Sequence, residues 1–61
     1  MNLQVEHDGM EMNFGSFKDL EIYMRLEKVQ EVTVKTKYYL GIELPKARLT
    51  YDEVLQILND W

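Results

Sequence analysis

The sequence predicts an α+β domain: an N-terminal β-hairpin, a third antiparallel strand with room for a short fourth, and two helices, in the order β-β-α-β-(β)-α. Three observations predict it. An Asp-Gly pair at 8–9 separates two alternating apolar-polar runs. Ser16 and Thr50 each precede apolar residues at helical spacing. Between these helices, residues 31–44 are rich in β-branched and aromatic side chains. The 61 residues are enough for one domain and no more.

The hairpin is the most sharply specified element. Leu3 to His7 and Met10 to Phe14 alternate in phase. Asp-Gly supplies the positive φ angles that a two-residue type I′ turn needs. A two-residue loop fixes the register. Leu3 opposes Phe14, Val5 opposes Met12 and His7 opposes Met10 on one face; Gln4 opposes Asn13 and Glu6 opposes Glu11 on the other.

Gly15-Ser16 closes the hairpin. Ser16 is an N-cap with Asp19 at the third helical position, close to a capping box. A helix follows from about Phe17 to Lys28. At about 100° per residue, Phe17, Leu20, Tyr23 and Met24 make one stripe. Ile22 and Leu26, with Val29 just beyond, make a second stripe on the opposite side. A helix on one face of a small sheet needs only one.

From Glu31 to Leu44 the residues Val32, Val34, Thr36, Tyr38, Leu40, Ile42 and Leu44 hold one β phase. Such a run, fully extended, spans about 45 Å, against a radius of gyration near 10 Å for a globule of this length. The strand must bend or break, and Gly41 is the expected point. A short edge segment and a loop at Pro45 follow.

Thr50 and Glu53 form a second capping box, and Asp52 and Glu53 suit the positive end of the helix dipole. Tyr51, Val54, Leu55, Ile57, Leu58 and Trp61 fill one arc of this last helix. The expected core is Leu3, Val5, Met12, Phe14, Phe17, Leu20, Met24, Val32, Val34, Leu40, Val54, Leu55, Leu58 and Trp61.

Composition narrows the function classes. Cysteine is absent, so disulfide scaffolds, Cys-containing metal sites and Cys nucleophiles are excluded. No apolar run approaches the roughly 20 residues of a membrane span, and the N-terminus lacks the pattern of a signal peptide. A cytoplasmic protein is expected, with no membrane contact. A domain of about 60 residues buries only about 60% of its unfolded surface, which favours oligomerisation. So short a chain also encloses an enzyme pocket with difficulty. Ser16 is the only serine, and its cap role accounts for it. No catalytic residues, cofactor or metal are assigned, and the expected protein is not an enzyme.

Charge is uneven. Residues 1–31 carry three basic and seven acidic groups, residues 32–49 four and one, and residues 50–61 none and three, within a net charge of −4. His7, beside Glu6, Asp8 and Glu11, suggests a metal site. In the hairpin register, however, Glu6 and Glu11 point away from it. Glu6 opposite Glu11 is unfavourable on a sheet. Either Lys35 and Lys37 neutralise the pair, or the pair is an acidic patch for a basic partner. Lys35, Lys37, Tyr39, Lys46 and Arg48 suggest a phosphate- and base-binding segment, against the net negative charge of the whole.

The two-sided first helix carries the main expectation. Ile22, Leu26 and Val29, flanked by Arg25 and Tyr23, form an apolar strip of the kind that marks an interface. Glu6 and Glu11 would steer a basic partner. The partner is another protein or a second copy of the chain, with nucleic acid as the alternative and a purely structural homo-oligomer as a third reading.

The segment Leu49-Thr50-Tyr51-Asp52-Glu53-Val54-Leu55 resembles helix openings in small bacterial regulators and antitoxins. In size and charge the chain is similar to small acidic proteins of phages and other mobile elements. That resemblance implies a non-catalytic inhibitor or regulator acting by surface occlusion.

Overall fold

The computed structural model describes residues 2–44 and 46–60. The strands are β1 (Leu3–His7), β2 (Met10–Phe14), β3 (Glu31–Val34), β4 (Tyr38–Tyr39), β5 (Ile42–Glu43) and β6 (Arg48–Thr50). The helices are α1 (Phe17–Glu27), before β3, and α2 (Tyr51–Asp60), after β6. The antiparallel main sheet has the order β2-β1-β3-β6, and β4 and β5 form a separate hairpin. The class is α+β.

The first hairpin matches its expected register at every pair, including Glu6 against Glu11. Asp8 and Gly9 have φ of 52° and 76°, as a type I′ turn requires. Ser16 Oγ accepts the Asp19 N–H at 3.2 Å and starts α1. Thr50 and Glu53 exchange both capping-box bonds, at 2.9 and 3.2 Å.

β3 pairs with β1 through Val5–Val34 and Glu6–Thr33, and β6 pairs with β3 through Val32–Leu49. Leu3, Val5, Val32, Val34 and Leu49 therefore share the inner face, and all five are buried. The helices cover that face side by side, α1 touching β2 and α2 touching β6. Phe17, Leu20 and Met24 of α1, with Val54 and Ile57 of α2, complete the layer.

The expected long strand breaks earlier than Gly41. The longest dimension of the molecule is 27 Å, too short for it. β3 ends at Val34 although β1 still offers Gln4 and Leu3 beyond Val5. Lys35 N–H still reaches the Gln4 carbonyl at 2.7 Å. The Thr36 hydroxyl then takes the Gln4 N–H at 2.9 Å and donates to the Asn2 carbonyl at 3.4 Å. A side chain thus substitutes for the ladder, and the backbone leaves the sheet. Gly41 is instead the second residue of a tight turn, with Leu40 at φ 55° and Gly41 at φ 80°.

This break inverts the burial phase downstream. Leu40, expected in the core, is 67% exposed, whereas Tyr39 is 6% exposed and meets Phe17 edge-to-face at 5.1 Å. Leu44 is buried beside it. The hairpin closes one end of the core with these two side chains. Leu49, expected in a loop, is buried on β6, a strand too short for a sequence signal.

Two further corrections concern the helices. α1 ends at Glu27, and Lys28 adopts the left-handed conformation with its N–H on the Met24 carbonyl. That turn drops Val29 into the core, so Val29 belongs to no outer strip. On α2 the buried side is centred on Val54 and Ile57, which leaves Leu55 at the margin and exposed. Met12, Phe14 and Leu58 are half-buried at the rim. The expectations for Pro45 and Trp61 fall outside the described residues.

Candidate protein-binding surface

The outer side of α1 keeps part of the expected strip. Leu26 is 68% exposed and Ile22 half-buried. Tyr23 is half-buried between the helix and the hairpin, its ring 5.4 Å from Phe14 and 6.5 Å from His7. Its apolar body seals the core margin.

Arg25 is held by a group that sequence reasoning missed. Glu21, only 5% exposed, accepts the Tyr51 hydroxyl at 2.7 Å and the Arg25 Nε–H at 3.0 Å. The Tyr51 hydrogen bond holds the carboxyl below its usual range, burial opposes this, and Arg25 adds to the lowering. The same bond raises the Tyr51 phenol, because ionising it would place two anions together. These partners satisfy the buried carboxylate and tie α2 to α1. Glu21 and Arg25 at (i, i+4) spacing were a visible pair; Tyr51, thirty positions away, was not.

The acidic pair of the hairpin is neutralised in place. Lys35 Nζ lies 3.0 Å from Glu11 and 3.9 Å from Glu6. The Glu11 contact and both charges raise its pKa. Glu6 and Glu11 are thus partners of β3 first, as their opposition across the sheet demands. Lys37, beyond the end of β3, takes no part.

The basic segment is similarly occupied. Lys46 pairs with Glu53 at 2.6 Å and Arg48 with Glu31 at 2.9 Å. Tyr39, expected to stack bases, is buried against Phe17. Of the five expected nucleic-acid-binding residues, Lys37 alone has neither a described ion-pair partner nor a core position. The groups do not form a basic stripe with an accessible ring. Next to them a groove of about 380 Å³ runs between Val34, Lys35, Lys37, Leu44 and Lys46.

The one ion-pair contact of His7 among the described residues is with Asp8, at 3.7 Å. Glu6 and Glu11 project from the opposite sheet face. No cluster of three or more metal-ligating side chains occurs among the described residues, and no described helix is long and apolar enough to cross a membrane.

A second group of exposed apolar side chains includes Leu40, which the sequence places in the core. Tyr38, Leu40 and Ile42 are each more than half exposed, at the tip and flanks of the β4–β5 hairpin. Tyr39 and Leu44 fix the base of the hairpin, so its tip projects from an anchored stem. A sequence signal existed: Leu-Gly at a two-residue turn departs from the Asn-Gly or Asp-Gly that such turns favour.

No family model matches the chain, and neither a curated protein nor a solved structure matches it.

Proposed function

We propose that this chain is a non-catalytic protein-binding module. It is a small acidic inhibitor or regulator that covers a surface of another protein, of the kind phages and mobile elements make. The apolar hairpin tip carries this reading. Leu40 sits at φ 55° and is two-thirds exposed. A left-handed conformation costs a non-glycine residue roughly 1–2 kcal/mol, and folding recovers little of that from so exposed a side chain. A leucine this exposed suits burial against a partner surface. Tyr38 beside it is a residue type enriched in binding hot spots. The net charge of −4 favours approach to a basic partner. The proposed setting is the cytoplasm, where a chain without cysteine loses nothing by lacking disulfides.

The test compares the wild-type chain, immobilised, with Leu40→Asp/Ile42→Asp and with Ile22→Asp/Leu26→Asp, using extracts of the source cell. The expected result is a protein retained by the wild type and lost from the tip variant, with circular dichroism unchanged. Its Kd, measured after purification, rises at least about ten-fold in the tip variant, as for a hot spot. Equal retention by the tip variant would refute this assignment.

A further inference from the structure

We propose that two copies of the chain pair through the open edge of β2, antiparallel, in a register centred on Met12. β2 ends the main sheet, and no other described strand bonds to its outer side. Natural edges are blunted by proline, lysine, bulges or brevity. The opposite edge, β6, is three residues long and carries Arg48. β2 has five residues in unbroken register with no proline and no bulge, and its one charge, Glu11, is paired with Lys35.

The phase of its hydrogen bonds selects the register. Gln4 N–H and C=O point toward β3, so Leu3, Val5 and His7 bond toward β2. Their partners Phe14, Met12 and Met10 bond back toward β1. The backbone groups of Glu11 and Asn13 therefore point outward. A two-fold axis through Met12 brings Glu11 of one copy opposite Asn13 of the other, twice, each pair able to exchange both its hydrogen bonds. Met12 then faces its own copy, and Met10, 56% exposed, faces Phe14. Shifting the axis to Glu11 would oppose two glutamates. The centred register avoids this and continues the apolar inner face across the junction.

A second observation points to the same flank. Tyr23 marks the side of α1 that overlies Phe14 and His7. Leu26 lies about 60° from Tyr23 around the helix and about 140° from Glu21, which faces α2. Leu26 is thus turned toward the open side of the molecule, where the two α1 helices would meet above the joined sheets.

Register-specific cross-linking tests the proposal. The chain has no native cysteine. Across a non-hydrogen-bonded pair the Cα atoms are about 4.5 Å apart, within disulfide range. Met12→Cys should oxidise to a covalent dimer, while Met10→Cys, though more exposed, should lag because its counterpart is Phe14. Light scattering should give twice the monomer mass. Asn13→Lys, which sets a cation opposite Glu11, should tighten the dimer, and Asn13→Glu should loosen it, with Kd values on the order of ten-fold apart. Monomeric mass at all concentrations, preferential cross-linking through Met10→Cys, or equal Kd values for the two Asn13 variants would overturn it. None of these outcomes bears on the β4–β5 tip.

Discussion

Leu40→Asn separates the two places this residue has been put: the core, by sequence periodicity, and an exposed turn, by the structure. The fold gains from the change, because asparagine tolerates the left-handed region that leucine occupies at a cost of roughly 1–2 kcal/mol. It also loses whatever the leucine side chain buries. Full burial of leucine is worth about 1.5–3 kcal/mol. With 67% of the residue exposed, only about a third of that, roughly 0.5–1 kcal/mol, is at stake. The gain is at least as large as the loss, so the expected change runs from about zero to about 1.5 kcal/mol in favour of the variant. Urea unfolding followed by far-ultraviolet circular dichroism measures it, with an unchanged slope as the sign that the fold is intact. A loss above about 2 kcal/mol, the range of core truncations, would show that Leu40 is buried and that the tip is no surface. Leu49→Ala, at a fully buried position, is the internal standard and should lose about 2–5 kcal/mol.

Three other outcomes are expected. Tyr51→Phe removes the main cause of the depressed Glu21 pKa. A depressed carboxyl stabilises the fold fully above its unfolded pKa of about 4.3 and loses that contribution as pH falls through the folded value. The gap in Tm between wild type and Tyr51→Phe should therefore be widest near neutral pH and narrow in acid, and a gap independent of pH would contradict the assignment. Thr50→Ala deletes the acceptor for the Glu53 N–H and should destabilise by about 1 kcal/mol in chemical denaturation. Lys35→Glu would leave three carboxylates together on the outer sheet face. It should lower Tm, and most strongly at low salt; a Tm insensitive to salt would argue against the pairing.

What could be read from the sequence was what depends on neighbours in the chain. The hairpin register follows from a two-residue turn and alternation, both contained in residues 3–14. The two caps need only the residue three places on. Longer-range causes were hidden. Val29 is buried because Lys28 turns left-handed, a choice the helical spacing of α1 does not show. Tyr39 and Leu40 exchange places because the Thr36 hydroxyl takes the Gln4 N–H and the chain leaves the sheet there, a contact made to another strand. Glu21 looked like a surface helix residue, since its partner Tyr51 arrives only when the two helices pack. For the same reason the acidic pair and the basic segment each suggested an interface when read alone. In the fold, Lys35 satisfies the acidic pair, while Lys46 and Arg48 find their own carboxylates.

The Tyr51–Glu21 bond also has a consequence for how the protein is made. During synthesis the hairpin and α1 emerge long before residue 51. Until then Glu21 has only the partly exposed Arg25 beside it, and the inner face of β3 lacks Leu49 and all of α2. The core can close only once β6 and α2 have been made. A product broken off before Thr50 keeps the apolar sheet face open and one carboxylate short of its phenol.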